Sequence, residues 1–93
     1  MTAQPAIASD EAIAPRVRRF IVENFYVSDP STLEDATSLI AGGFVDSTGL
    51  LEVIAFLEAE YGIRIQNEET IPENLETVER IAAFVARKRR ATG

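Results

Sequence analysis

A chain of 93 residues with 46% apolar content forms one small folded domain. At this length folding buries roughly 60–65% of the extended surface, which allows one modest core and no deep cleft. Cysteine and histidine are both absent, which excludes disulfides, thiolate chemistry, and the commonest general base and metal ligand. The net charge of −6 is unevenly placed: Glu23 to Glu79 holds thirteen acidic residues and one basic residue, Arg64, while the other basic residues lie towards the two ends. An acidic middle repels nucleic acid and attracts partners with basic patches; the plainer reading is solubility.

The start, Met1-Thr2-Ala3-Gln4-Pro5-Ala6, lacks the basic opening and apolar run of a signal peptide. No apolar run approaches the roughly 20 residues of a membrane span. A cytoplasmic location is the expectation. Residues 1–9 are expected to be a flexible tail, 10–88 the folded domain and 89–93 a C-terminal tail. Ser9-Asp10-Glu11 marks a helix start. Ile13, Val17, Phe20, Ile21 and Phe25 then recur at helical spacing, with Pro15 in the first turn or after a kinked one, and with Arg16, Arg18 and Arg19 facing water. Asp29-Pro30-Ser31 is expected to end this element.

Val27 to Val45 shows no sustained period and is expected to be a long loop, pinned by Leu33, Leu39, Ile40 and Phe44, with a short helical turn at Ser38-Leu39-Ile40. Gly42-Gly43 permits a sharp bend towards Asp46-Ser47. A second helix runs from about Ser47 or Thr48 to Tyr61, with Leu50, Ile54, Leu57 and Tyr61 as core stripe, Val53 widening it, and Gly62 as left-handed cap. Ile63-Arg64-Ile65 is extended but too short to imply a sheet. Asn67 to Ile71 is expected to form one helical turn ended by Pro72, and Glu73-Asn74-Leu75 a connector. A last helix starts near Glu76 or Thr77, buries Val78, Ile81, Ala82 and Val85, carries Phe84 at its margin, and has Arg87 to Arg90 at its negative end. The expected fold is all-α: a small antiparallel bundle of three main helices and one short one, with a long first crossover loop.

Ser47 falls where a glycine-preceded loop becomes a helix. There, backbone N–H groups and the helix dipole favour an anion. An Asp-Ser pair before a helix is most simply an N-cap. With no histidine, and with the single lysine, Lys88, far along the chain, Ser47 is a poor nucleophile in its own right, although a separate enzyme can modify it.

The run Gly43-Phe44-Val45-Asp46-Ser47-Thr48-Gly49-Leu50-Leu51-Glu52-Val53-Ile54 resembles the prosthetic-group site of the acyl carrier protein family. Phe56 to Ile65 resembles the family's stretch just after that site, and Leu75-Glu76-Thr77-Val78 the entry to the last helix; the likeness covers about residues 13–88. The resemblance implies a non-catalytic, monomeric carrier whose serine, here Ser47, receives 4′-phosphopantetheine from coenzyme A by way of a phosphopantetheinyl transferase. It implies acyl groups held as thioesters on the arm, as in fatty acid or secondary metabolite biosynthesis. Asp46 matches the acid that helps the transferase engage. Leu51, Glu52, Ala55 and Glu58 match the helix face presented to acyltransferases and synthases. The long loop and the minor helix leave a place where a small acyl group can tuck in.

Two departures narrow the expectation. Thr48 stands where fatty-acid carriers have a large apolar residue, and Gly49 where they often have an acid. Asp-Ser-x-Gly resembles free-standing carriers served by dedicated adenylate-forming ligases, including D-alanyl carriers. A specialised free-standing acyl carrier is therefore expected, with an aminoacyl or peptidyl carrier as the alternative. A reading of another class is a helical interaction module in which Ser47 only caps the helix. An enzyme ranks third, since neither a nucleophile–base pair nor a metal set is visible.

Overall fold

A computed structural model describes residues 10–92; residues 1–9, where the flexible tail was expected, and Gly93 lie outside the described part. Ile13, Val17 and Ile21 fall on one helical face, and burying them fully is what holds α1 (Ile13–Asn24). A 3₁₀ turn over Asp10–Ala12 leads in, and Pro15 sits in the first α-helical turn, where a missing N–H breaks no helical bond. The helix stops at Asn24, ahead of the expected stop at Asp29-Pro30-Ser31. Asn24 Nδ2 donates to the Phe20 carbonyl at 2.9 Å, and Phe25 turns to extended backbone. Asp29-Pro30-Ser31 instead opens a 3₁₀ turn, Pro30–Thr32, with the Asp29 carboxylate accepting from the Ser31 N–H at 3.1 Å.

Only Arg19 of the three early arginines is exposed. Arg16 and Arg18 are half-buried: Arg16 pairs with Glu60 at 3.3 Å and lies 4.9 Å over the Phe56 ring, and Arg18 pairs with Asp35. Their long stems cover apolar surface while the charged heads find partners.

The loop from Phe25 to Asp46 is pinned by Leu33, Leu39 and Val45, all buried. Phe44 is half-buried, and Ile40 stays 46% exposed, so it does not serve as a pin. Two backbone bonds fasten the loop to the far end of the chain: Leu39 N–H to the Glu76 carbonyl and Glu79 N–H to the Asp35 carbonyl, each 2.9 Å. The helical turn expected at 38–40 is closed by Gly42 N–H to the Ser38 carbonyl, and Gly43 (φ 79°) reverses the chain after it.

The second helix, α2 (Ser47–Tyr61), has the expected bounds and ends at Gly62 in the left-handed conformation, φ 65°. Its buried stripe is rotated from the expected one. Gly49, Val53 and Leu57 are buried, whereas Leu50, Ile54 and Tyr61 are only half-buried. The cause is aromatic: Phe56 stacks on Phe20 of α1 at 4.1 Å between centroids, and Phe20 meets Phe25 edge-on at 6.1 Å, which rolls α2 towards α1.

A 3₁₀ turn, Asn67–Glu69, lies in the expected minor turn. Pro72 does not end it but starts α3 (Pro72–Leu75), because its ring presets the first helical dihedral, so the expected connector is itself the short helix. Thr77 caps α4 (Val78–Thr92), its Oγ1 accepting from the Arg80 N–H at 3.0 Å. Phe84 is core at 2% exposure rather than marginal, and Ala86 is buried while Ala82 is half-buried. The reason is that α4 packs against α1, α2 and α3, so more than one of its faces is covered. Three long helices and one short one form an all-α bundle with a radius of gyration of 13.0 Å. Among the described residues there is no strand, and no helix is long and apolar enough to cross a membrane.

Candidate functional site

Ser47 is the first residue of α2 and is exposed. The residue before it fixes the helix start. Asp46 is extended (φ −95°, ψ −179°), and its Oδ1 accepts the Gly49 N–H at 2.6 Å while its carbonyl accepts the Leu50 N–H at 2.9 Å. The cap is therefore Asp46. Among the described residues nothing hydrogen-bonds the Ser47 hydroxyl, which leaves it free of a structural duty.

The approach to Ser47 is held from behind. The Leu39 carbonyl accepts both the Phe44 N–H (2.9 Å) and the Val45 N–H (3.1 Å), and Val45 is buried. Gly49, two residues into the helix, is buried for lack of a side chain: a Cβ there would lie 2.6 Å from the Phe25 ring and 3.0 Å from Asp46 Oδ1. Gly49 thus faces the core and is no gap in an outward acidic face. Sequence reasoning missed this contact. The available signal was a glycine inside a strong helical pattern, which is unfavourable unless close packing requires it.

Helical spacing places Leu51, Ala55 and Glu58 on the side of Ser47, with Glu52 flanking them. Leu51 is 66% exposed, and Glu52 and Ala55 are exposed. Glu58 differs: it is half-buried, and its Oε2 accepts the Ile65 N–H at 2.9 Å, which ties the chain after Gly62 back to α2.

On the other side of Leu50 lies a cavity of about 430 Å³. Ile40, Ala41 and Leu50 line one side, and Ile71, Pro72 and Leu75 the other. It is an open hollow between the crossover loop and α3 rather than a deep cleft. Its volume is in the range of small-molecule sites. Ile40 and Ile71, 46% and 42% exposed, mark its open side.

Among the described residues no group of acidic side chains is arranged to hold a metal. With no histidine or cysteine in the chain, and with the neighbouring Asp46 carboxylate engaged by the Gly49 N–H, the site presents a hydroxyl and favours a nearby anion.

No family model matches the chain. It is 32% identical over 80 residues to the acyl carrier protein of Bdellovibrio bacteriovorus, an alignment that takes in 86% of this chain and 99% of that protein. With that identity over nearly the full length of both, and a helical bundle that exposes a serine at the start of its second helix, the chain belongs to the acyl carrier protein family.

Proposed function

We propose that this protein carries acyl groups on a 4′-phosphopantetheine arm attached to Ser47 and catalyses nothing itself. The observation that carries the reading is the Ser47 hydroxyl, exposed and unengaged at the start of α2 while Asp46 does the capping. A serine in this position fits a phosphodiester, because the first-turn amides and the dipole of a 15-residue helix favour negative charge there. When bound, the arm supplies a thiol on which acyl groups are held as thioesters.

The chain's own residues then have separable tasks. Asp46 holds the helix start and offers its charge to the phosphopantetheinyl transferase. The transferase must itself take the Ser47 proton, since this chain brings no imidazole or thiolate. Leu51, Glu52 and Ala55 offer an exposed face to acyl-activating ligases, acyltransferases and synthases, with Glu58 at its end. The mainly apolar lining around Leu50 and Leu75 suits an aliphatic cargo, with Ser38, Thr70 and Glu76 as its polar members. Thr48 is the residue that favours a specialised carrier with a dedicated ligase. Gly49 does not bear on that point, being a packing requirement. The carrier acts in the cytoplasm as a monomer.

Incubation with coenzyme A and a broad-specificity transferase tests the reading by intact-protein and peptide mass spectrometry. The expected result is one phosphopantetheine mass on the Ser47 peptide and none in Ser47→Ala. Failure with several transferases, on folded protein, would return Ser47 to an unmodified surface residue of an interaction module.

A further inference from the structure

The wall of the cavity formed by residues 70–76 has little to hold it in place by itself. Its helix, α3, spans four residues, far below the length at which a helix is stable alone. Its end is anchored, since Leu75 is buried at 3% exposure, but its start is not, since Ile71 is 42% exposed. Apolar packing therefore fixes one end of this wall only.

Charged side chains of α4 hold the other end. Lys88 Nζ reaches both carboxylate oxygens of Glu69, at 3.0 and 3.1 Å. With side chains 22% and 28% exposed, this ion pair is better enclosed than Arg16–Glu60 at 39% and 34%. Glu69 Oε1 also accepts the Gln66 N–H at 2.8 Å, and the Glu69 carbonyl accepts Asn74 Nδ2 at 2.9 Å. Asn74 Oδ1 in turn accepts from the Arg87 guanidinium at 2.9 Å. Residues 66–74 are thus closed on themselves and strapped to two consecutive residues of α4. The Gln66 amide first, and Lys88 second, hold the Glu69 carboxyl below its usual range.

We propose that Lys88, acting through Glu69, is a positioning residue for this wall and so sets how long an aliphatic chain the cavity shelters. The second half of that statement rests on the carrier reading above; the first half does not. Loss of the tether leaves the Glu69–Ile71 end held through Asn74 and Arg87 alone, so that it swings more readily about Leu75 and the cavity deepens on that side.

The test uses full-length protein as wild type, Lys88→Met, which keeps the stem without the charge, and Lys88→Arg. Amide hydrogen exchange is read at Asn74, Leu75 and Glu76, whose N–H groups bond to the Ile71 and Pro72 carbonyls, with Gly62 and Ile81 as controls. Lys88→Met is expected to speed exchange at the first three by about two- to fivefold, leave the controls unchanged, and be rescued by Lys88→Arg. In the second arm, protein loaded with hexanoyl, octanoyl or dodecanoyl thioesters is challenged with hydroxylamine. The longest chain that resists cleavage is expected to be longer in Lys88→Met than in wild type or Lys88→Arg. Unchanged exchange at 74–76, or exchange that rises equally at the controls, overturns the tether. A changed wall with an unchanged chain-length limit overturns the link to cargo. If Ser47 takes no arm, the carrier reading fails and the exchange arm alone decides for or against the tether.

Discussion

Replacing Gly49 by alanine places a methyl carbon 2.6 Å from the Phe25 ring, 3.0 Å from Asp46 Oδ1 and 3.3 Å from Val45 Cγ1. The first distance is well inside contact, so something must move. Phe25 is the candidate, but it is half-buried and meets Phe20 edge-on, and Phe20 is itself stacked on Phe56. The ring therefore cannot swing without disturbing the α1–α2 contact. Overpacking of this kind costs about 1–3 kcal/mol. Alanine's better helix propensity offsets up to roughly 0.8–1 kcal/mol in a helix interior, and less in a first turn. A net loss of about 1–2 kcal/mol is expected, which for a domain of this size lowers Tm by about 5–15 °C.

A double-mutant cycle followed by urea unfolding isolates the cause. Phe25→Leu alone is expected to destabilise, through lost aromatic contact. In its background Gly49→Ala should become nearly neutral, giving a coupling of about 1 kcal/mol. If Gly49→Ala leaves stability unchanged or raised, or loses the same amount with Leu at position 25, the close-packing account is wrong and Gly49 must be explained by the site's function instead.

Removing the Asp46 cap with Asp46→Ala is expected to cost about 1 kcal/mol, while Asp46→Asn keeps most of that stability and still slows modification by the transferase; equal loss of stability in both would refute the separation of cap from charge. Thr77→Ala removes the α4 cap beneath a buried side chain and should cost about 1–2 kcal/mol, with Thr77→Ser close to wild type in thermal unfolding. The Tyr61 phenol is held above its ordinary range by burial first and by Glu60 second, against the lowering effect of Arg16 and Arg89. Because its folded pKa lies above the unfolded one, its contribution to stability is complete below the unfolded value of about 10 and is lost as pH rises through the folded value. Phenolate absorbance in Tyr26→Phe, which leaves Tyr61 as the sole tyrosine, should show this late titration, and a midpoint at or below the ordinary phenol value would contradict it.

The bounds of α2, its Gly62 cap and the three long helices were legible because each rests on a local rule: spacing of apolar residues, a left-handed glycine, a capping side chain. What was not legible depends on contacts between distant segments. Leu50 and Ile54 have the pattern of core residues, but the stack of Phe56 on Phe20 turns α2 so that Gly49 and Val53 take that place. Phe84 reads as marginal along α4 alone and becomes core because α4 has neighbours on several sides. Pro72 reads as a stop, yet the same fixed dihedral opens a helix. At the site, the position of Ser47 followed from sequence, whereas the inward use of Glu58 and the cavity beside Leu50 depend on where residues 63–76 return.

The same return of distant segments rearranges the charge. Along the sequence the basic residues lie mostly at the ends and the acids in the middle; folding pairs several of them, Arg19–Glu23 and Arg80–Glu76 locally and the others across the chain. Arg16 pairs with Glu60, Arg18 with Asp35, Arg19 with Glu23, Arg80 with Glu76, Lys88 with Glu69, and Arg89 and Arg90 with Asp10. None of these pairs reaches the exposed side of α2 beside Ser47, where, among the described residues, Asp46 and Glu52 have no cationic partner. Among the described residues Asp29, Glu34, Glu68, Glu73 and Glu79 likewise have no ion pair, so the net negative field is spread over the bundle and Asp46 and Glu52 are its share beside Ser47. Under the carrier reading this has a kinetic signature. Glu52→Gln should lower the association rate with the transferase about two- to fivefold at low salt, flatten the dependence of that rate on salt, and leave unfolding stability within about 0.5 kcal/mol of wild type. A Glu52→Gln protein that associates at the wild-type rate, with the same salt dependence, would show that this acid is only solvated and that recognition lies elsewhere on the bundle.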